Sequence, residues 1–300
     1  GGDAPKELTS ERRVVTLDEQ VDALHQQFFV IRIGGKAYIG DRDATDIVDA
    51  LMPVESFKTL FSNGKIENKY PVDIWLKSPK RMRLMGFDFN PNNPYGDAVG
   101  DQFNLYQGPA VQPIEGDCQI IIDHIHEVLC SGNAEQSEHM LNWIAHMFQK
   151  PGEQCGTSII LQSGEGTGKS LITTMLNNMW GVHGTQVSST NQLIGNHNTQ
   201  LAKKMLISIE EVSTAHNIEA TIQMKNLVTS PIITINPKMK ASFDIVNLAR
   251  LMLNTNQIWA FEASKEARRW FVPTISDDRV GDRAYFNALA KATQSAAVQS

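Results

Sequence analysis

The sequence predicts an α/β protein with a central parallel sheet, preceded by an α+β region and a small helical segment. Three observations support this fold class. From residue 157 onward, short apolar runs alternate with helix-patterned stretches, which favours a parallel sheet covered on both faces. The first of these runs, 158–161, leads through a glycine-rich stretch into a helical pattern. Residues 120–149, upstream of it, show the periodicity of helices.

Length and composition are those of an ordinary globular protein. The 300 residues suffice for two domains, and 41% hydrophobic with 20% charged residues excludes a disordered or fibrous chain. No apolar run reaches the length of a membrane span and no signal-peptide pattern opens the chain. Three scattered cysteines do not make a disulfide framework. We therefore expect a cytoplasmic protein without a membrane partner.

The first 110 residues predict an α+β accessory region. A helical stretch near 17–28 is followed by apolar runs at 29–33 and 36–39, and Gly34-Gly35 between them predicts a hairpin turn. The chain begins Gly-Gly-Asp without an initiator methionine, which is typical of an excised fragment. We expect further protein before it.

Residues 111–152 predict a collar-like helical segment. Two helices are expected between 120 and 149, split at 131–133 and ended by Pro151-Gly152. His124, His126 and Cys130 invite a metal interpretation, but residues two apart on a helix point to different faces and a zinc site needs four ligands. We favour a structural role for them. The parallel-sheet core is expected over 153–275, and a helical tail over 276–300.

Residues 163–170 read Ser-Gly-Glu-Gly-Thr-Gly-Lys-Ser, and we call them the glycine-rich loop. A strand before it and a helix after it favour a phosphate site over a surface loop, since backbone N–H groups at a helix N-terminus bind anions. Lys169 is placed to reach the β- and γ-phosphates of a nucleotide, and Ser170 to bind Mg²⁺. Ser163 stands where the motif G-x-x-x-x-G-K-[ST] has glycine, a mild departure. The predicted binding residues are Gly164, Glu165, Gly166, Thr167, Gly168, Lys169 and Ser170.

Two adjacent carboxylates end the next buried-strand pattern, at 205–209. We expect Glu210 to hold Mg²⁺ together with Ser170, and Glu211 to orient and deprotonate the attacking water. Acidic residues commonly follow strands. Their position downstream of the glycine-rich loop favours the functional interpretation.

A further buried-strand pattern, 251–253, ends in Asn254, Thr255 and Asn256. An amide there can bond both the γ-phosphate and the lytic water, so we predict a sensor role, with Asn256 ahead of Asn254. Turn-forming asparagine is the alternative. Arg268 and Arg269 follow, and a guanidinium is suited to a transferring phosphoryl group. The alternative is an exposed basic pair beside a strand, which would be preferred without the other motifs.

Residues 231–244 predict two strands joined by a basic tip that carries Lys238 and Lys240. These lysines are suited to track a nucleic-acid backbone, or equally to keep a hairpin edge from aggregating. The formal net charge of −6 does not decide between these, because a local basic surface is enough for DNA.

Taken together, these segments resemble the superfamily 3 helicases, a branch of the AAA+ ATPases, and more closely the helicase part of phage and plasmid primase-polymerase proteins. Upstream segments are similar too. The residues that carry the resemblance are 164–170, 209–211, Lys238, 255–256 and 268–272, with 73–79, 87–91, 104–108 and 143–146 upstream.

The resemblance implies an AAA+ P-loop ATPase core over 153–275 that uses ATP and Mg²⁺. It also implies a homo-oligomer, a hexameric ring on single-stranded or forked DNA, fused to or acting with a primase-polymerase domain in the host cytoplasm if phage-encoded. Lys169, Glu210, Glu211 and Asn256 become catalytic residues. Lys238 and Lys240 become DNA contacts.

Three basic features receive roles from the same resemblance. Arg268 or Arg269 becomes the arginine finger that enters the neighbouring subunit's site. Lys225 is a candidate for a phosphate contact in trans. The cluster Lys77, Lys80, Arg81 and Arg83 is a candidate for the ring entrance, although a solvated loop is the favoured interpretation.

Other classes of function remain open on the sequence. One is a P-loop ATPase that remodels or packages DNA without unwinding it. Another is a nucleotide-dependent replication initiator without motor activity. A small-molecule phosphotransferase is disfavoured by the adjacent carboxylates and the downstream asparagine.

Overall fold

A computed structural model describes residues 15–188, 197–210, 218–256 and 269–298. The chain divides into two compact units between Met85 and Gly86. One sheet lies in the first unit and three lie in the second.

Within residues 15–85, the first unit has a four-stranded sheet and three helices. Its sheet order is β3-β2-β1-β4, with β1 and β2 antiparallel and β1 and β4 parallel. Gly34 and Gly35 join β1 to β2 at φ 54° and 82°, the positive values that a two-residue turn of this hand requires, so the predicted hairpin is confirmed. The elements are α1 (Leu17–Gln27), β1 (Phe28–Ile33), β2 (Lys36–Asp41), β3 (Met52–Pro53), α2 (Val54–Leu60), α3 (Pro71–Lys77) and β4 (Arg83–Leu84).

Local sequence explains where α1 begins and what it covers. Thr16 and Glu19 form a capping box, in which each side chain accepts a hydrogen bond from the other's backbone N–H. An aromatic core lies behind the helix: the rings of Phe28 and Phe57 are 4.8 Å apart between centroids, and Trp75 packs against both. Burial of these large rings accounts for much of the stability of so small a unit.

The second unit carries the features that the sequence singled out. Two 3₁₀ turns, Gly181–His183 and Thr199–Leu201, complete its described elements. These are β5 (Gly86–Asp88), β6 (Ala98–Val99), β7 (Gln102–Asn104), α4 (Gln119–Asp123) with a π-helical continuation (His124–Leu129), α5 (Ala134–Gln149), β8 (Ser158–Gln162), α6 (Lys169–Trp180), β9 (Gly184–Val187), β10 (Leu206–Ile209), α7 (Ile218–Thr229), β11 (Ile232–Ile235), β12 (Phe243–Val246), β13 (Arg250–Thr255), β14 (Trp270–Phe271) and α8 (Arg283–Val298).

A five-stranded parallel sheet forms the centre of this unit, in the order β14-β8-β13-β10-β9. All residues of β10 and β13 are buried, as expected for central strands covered on both faces, and this explains their continuous apolar sequences. The predicted mixed α/β fold with a parallel sheet is confirmed. Because the strands are parallel, all their carboxyl ends meet at one edge.

The small sheet β5-β7-β6 belongs to the second unit, whereas the sequence placed the accessory region at 1–110. A packing contact explains this assignment. The ring of Phe87 in β5 packs at a tilt against that of Phe243 in β12, with 5.3 Å between the ring centroids. Contacts of this kind, between residues far apart in the chain, leave no local signal in the sequence.

The hairpin predicted over 231–244 is formed by β11 and β12, paired antiparallel. Its base is held by Asn247, whose side-chain amide donates to the carbonyl oxygens of Leu227 and Ser230, each at 2.7 Å. The chain then runs directly into β13. A buried amide thus clamps the base of the hairpin to the end of α7.

The two helices expected between 120 and 149 are present, and Asn133 caps the second by accepting from the Gln136 N–H. Among the described residues, no group of three or more histidine, cysteine or acidic side chains is placed to hold a metal ion. None of the described helices is long and apolar enough to span a membrane.

Arg250, at the start of β13, is a buried cation without a carboxylate partner in the contacts described for it. Its guanidinium donates to the carbonyl oxygens of Glu153 at 2.8 Å and Leu248 at 3.1 Å, and burial lowers its pKa to about 10. The carbonyl of Glu153 follows α5, so this arginine ties the end of that helix to the sheet.

His183 is fully buried and uncharged. Its Nδ1 lies 2.6 Å from the carbonyl oxygen of Lys203, while Nε2 accepts from the Gln107 N–H at 2.8 Å. Its ring stacks on Tyr106. Burial is the main cause that lowers the pKa of His183 to about 4 from 6.5.

We predict that this histidine makes the second unit acid-sensitive. Because the pKa of His183 is lowered in the folded state, its contribution to the free energy of unfolding is complete above about pH 6.5. This contribution, about 3 kcal/mol, is lost as the pH falls toward 4. Urea unfolding at several pH values measures this. His183→Gln should be less stable at neutral pH yet show a flatter pH dependence.

The matched control for that experiment is His139→Gln, at an exposed position of α5. This variant should keep the wild-type pH profile. If the free energy of unfolding changed with pH equally in wild type and His183→Gln, His183 would not be the source of the acid sensitivity.

Candidate functional site

An open cleft of about 540 Å³ lies at the carboxyl edge of the central sheet. The glycine-rich loop, which connects β8 to α6, forms its floor. Strand ends and two helices supply the walls. The lining residues are 165–171, Thr174, Met175, Asn178, Glu210, 254–256, Thr293 and Gln294.

The loop backbone takes the left-handed conformation at Gly166 and Gly168, with φ 80° and 83°. Gly168 is also the residue that caps α6. A Cβ there would lie 2.8 Å from His124 Nε2 and 2.9 Å from a ring carbon of Phe286, so both conformation and space require glycine. The loop delivers the N-terminus of a 12-residue helix to the cleft, where an anion is stabilised.

Lys169 lies folded over the loop. Its ammonium donates to the carbonyl oxygens of Ser163 at 3.0 Å and Gly164 at 2.7 Å, and to the Ser163 hydroxyl at 2.7 Å. Burial lowers its pKa, and the carboxylates of Glu210 and Glu165 act in the opposite direction. The motif's departure at Ser163 therefore adds a hydroxyl that holds the lysine inside the loop.

Glu210 follows β10 and accepts hydrogen bonds from side chains of several elements. Its Oε2 accepts from the Ser170 hydroxyl at 3.0 Å. Its Oε1 accepts from the amides of Gln186 at 2.9 Å and Asn254 at 2.8 Å. These donors come from α6, β9 and β13, so four elements meet at one carboxylate.

The pair formed by Ser170 and Glu210 fits Mg²⁺. Hydroxyl and carboxylate oxygens are the hard ligands that this ion takes, and it commonly uses one or two carboxylates, with phosphate oxygens and water for the rest. A second protein carboxylate is not needed for such a site.

The two candidate sensor residues lie at different depths. Asn254 is buried, donates to Glu210 and, at 3.2 Å, to the Thr173 hydroxyl, and its Oδ1 is without a partner among the described residues. Asn256 is exposed at the rim of the cleft. The sequence analysis favoured Asn256 over Asn254 as the sensor, and the sensor role of either residue stays a prediction.

Other predicted residues lie outside this constellation. Glu211 and Arg268 fall outside the described residues. Arg269 directly precedes β14 and is not among the described residues that line the cleft. Lys225 is on α7, and the cluster Lys77, Lys80, Arg81 and Arg83 belongs to the first unit, where the Arg81 guanidinium donates to the carbonyl oxygen of Leu76.

Several residues of the site were missed from the sequence. Gln186 lies near the carboxyl end of a strand of the parallel sheet, but that strand, Gly184–Val187, has no apolar run to identify it in the sequence. His124 was expected to have a structural role and Phe286 was not singled out, and both reach Gly168 only through tertiary packing. The Nδ1 of His124 lies 2.9 Å from the Tyr285 hydroxyl, and burial lowers the pKa of this histidine to about 4, so an uncharged ring faces the loop.

Comparison with known proteins adds three findings. Residues 161–269 match a protein family described as a family of unknown function, DUF5906. A curated relative, the DNA Primase-polymerase of Nitratiruptor phage NrS-1, is 26% identical over 136 residues, which are 44% of this chain and 19% of that protein. The chain therefore matches less than a fifth of that relative's length.

Solved structures of the NrS-1 C-terminal region are similar over most of the chain. One apo structure has a TM-score of 0.67 at 20% identity and covers 92% of this chain and 67% of its own. A second apo form has a TM-score of 0.67 at 19% identity, and the similarity covers 93% of this chain and 67% of that one. The chain shares their fold.

We predict that Gly168→Ala weakens nucleotide binding at this cleft while Gly164→Ala is tolerated. The added methyl at 168 forces a positive φ on alanine and collides with His124 and Phe286, whereas at 164 it meets open space. Titration of wild type and both variants with Mg²⁺ and a fluorescent ATP analogue measures this. We expect at least tenfold weaker binding for Gly168→Ala, and equal affinities of all three proteins would contradict the packing argument.

Proposed function

We propose that this chain is the ATP-dependent DNA helicase module of a phage replication protein, of the superfamily 3 branch of AAA+ ATPases. One observation carries the proposal. The hydroxyl of Ser170 lies 3.0 Å from the carboxylate of Glu210 beside a glycine-rich loop at a helix N-terminus. This juxtaposition is what magnesium-dependent nucleotide hydrolysis requires.

Each residue of the cleft has a proposed task. Lys169 exchanges its carbonyl partners for β- and γ-phosphate oxygens, because a buried ammonium gains more from an anion than from neutral acceptors. Ser170 and Glu210 hold Mg²⁺, which, when bound, offsets negative charge on the phosphates. Glu211 takes the proton of the attacking water, and Asn256 or Asn254 orients that water.

We propose a ring of identical chains, hexameric by resemblance, with the nucleotide between neighbours. Arg268 or Arg269 is then supplied from the next chain. The position of Arg269 away from the cleft of its own chain fits this arrangement. Such an arginine is worth roughly 10³ to 10⁵ in rate in related chemistry.

The hairpin of β11 and β12 is the proposed DNA element, with Lys238 and Lys240 at its tip. Strand β13 links it to the nucleotide cleft: Asn247 clamps the hairpin just before the strand, and Asn254 near the strand's end bonds Glu210. We propose that nucleotide hydrolysis displaces the hairpin along this connection.

The biological setting follows from the similarity to a phage DNA Primase-polymerase. We propose that this chain acts in phage DNA replication in the host cytoplasm, fused to or together with a primase-polymerase domain. Single-stranded or forked DNA is the expected partner.

We predict that Lys169→Ala lowers Mg²⁺-dependent ATP turnover by about a hundredfold or more, since it removes a preorganised cation from the phosphates. Phosphate release under saturating ATP is the measurement. Lys291→Ala, at an exposed position on α8, is the control that removes the same charge elsewhere. Wild-type turnover by Lys169→Ala would rule out the cleft as the hydrolytic site.

We predict that the protein separates forked DNA only with hydrolysable ATP. Strand displacement with ATP, and with a non-hydrolysable analogue, tests this. Turnover without strand separation would indicate a remodelling or packaging ATPase. A Glu211→Gln variant that retains full function would indicate an initiator that only binds nucleotide.

A further inference from the structure

The tip of the β11–β12 hairpin is a four-residue turn with an unusual occupant. The Lys240 N–H donates to the carbonyl oxygen of Pro237 at 3.4 Å, which closes the turn over Pro237, Lys238, Met239 and Lys240. Met239, its third residue, has φ 59°, while Lys238 is not among the positive-φ residues. This pattern is that of a type II turn, whose third position is normally glycine or asparagine.

Folding does not account for a methionine at this position. The left-handed conformation costs a residue with a Cβ free energy that glycine avoids. Packing does not compensate, because the side chain is 94% exposed. Among the described non-glycine residues with positive φ, which are Glu67, Asn68, Ser131 and Met239, only Met239 is apolar.

The turn is held firmly, so the methionine is presented at a fixed place. The Asn236 N–H donates to Asn198 Oδ1 at 2.7 Å, and Ser242 donates to Asn236 Oδ1 at 2.7 Å. Farther down the hairpin, Thr234 and Asp244 are bonded across the strands at 2.6 Å. The thioether therefore projects from a braced support.

The neighbours of Met239 in the turn are cationic. Lys238 is exposed and Lys240 is half-buried, so a polarisable apolar side chain stands between two ammonium-bearing residues. A single nucleic-acid strand offers the matching chemistry, since its phosphates attract the cations and its base faces accept an apolar side chain.

We propose that Met239 is an apolar wedge that inserts between neighbouring bases of single-stranded DNA while Lys238 contacts a phosphate. The inference rests on the proposed function and deepens it. Apolar side chains, methionine among them, insert between neighbouring base pairs of duplex DNA in other proteins, and the same contact with base faces is open to a single strand. Met239 then determines between which two neighbouring bases the hairpin holds the strand. It does so whatever those two bases are.

The test uses the complete 300-residue chain with Mg²⁺ and a non-hydrolysable ATP analogue. Three strands are compared: an oligonucleotide labelled with fluorescein, one containing 2-aminopurine, and an abasic strand of equal length. Met239→Asn keeps the turn and removes the apolar side chain, because asparagine tolerates the left-handed conformation. Met239→Leu keeps an apolar side chain of similar size, and Lys238→Ala removes one charge.

We expect Met239→Asn to bind the base-containing strand about tenfold more weakly, and Met239→Leu to bind it like wild type. On the abasic strand the difference between Met239→Asn and wild type should vanish. Fluorescence of 2-aminopurine should rise with wild type and Met239→Leu, because the base is unstacked, and stay low with Met239→Asn. Lys238→Ala should weaken binding to all strands and lower the salt dependence.

A stability measurement separates this role from a structural one. Met239→Asn should melt at the same temperature as wild type or about 2 °C higher, since the turn prefers asparagine. A lower melting temperature would give Met239 a structural role and overturn the wedge.

The remaining outcomes distinguish the wedge from the proposed function. If Lys238→Ala binds DNA weakly and Met239→Asn binds like wild type, the wedge fails and the DNA-binding hairpin stands. If wild type binds no strand, the DNA step of the proposed function fails as well. If Met239→Asn keeps DNA affinity but lowers the native mass of the assembly, the tip contacts a second copy of the chain and the wedge is wrong.

Discussion

The carboxylate of Glu210 collects hydrogen bonds from Ser170, Gln186 and Asn254, and the shape of the cleft depends on it. A partly desolvated carboxylate is stable only with donors, and here the donors come from three elements that are distant in sequence. The backbone ladders of the sheet bring the strands among these elements together, and Glu210 joins their side chains at one point. Because the strands are parallel, their polar ends all reach this edge, so one side chain contacts the hydroxyl and both amides.

Strand β13 is the stiff part of the second unit. It is paired on both sides, with β8 and β10, and all six of its residues are buried. Arg250 near its start ties it to the segment after α5, and Asn254 near its end bonds Glu210. A strand held in this way moves as a body, so a small displacement at one end is felt at the other without unfolding between them.

Much of the central sheet was readable from the sequence because its signals are local. The apolar run at 158–161 and the glycines after it indicated a strand, a loop and a helix in that order, and Gly34-Gly35 indicated a hairpin. Gln186 was missed because strand β9 is short, with Val187 its one buried residue and no apolar run to mark it. The packing of His124 and Phe286 against Gly168 could not be predicted, because these residues are far from Gly168 in the sequence. Residues 86–110 contact the second unit through residues distant in sequence, such as Phe243 against Phe87 and His183 against Gln107, and no periodicity encodes such contacts.

The glycine-rich loop is packed by a helix from the far end of the chain. Phe286, near the start of α8, stands against Gly168, and Thr293 and Gln294 of the same helix line the cleft. During synthesis on a ribosome, the loop and its strand emerge more than a hundred residues before this helix does. The pocket therefore acquires its final wall only when translation of the described region is nearly complete, and a nascent chain that stalls earlier presents a loop without its backing.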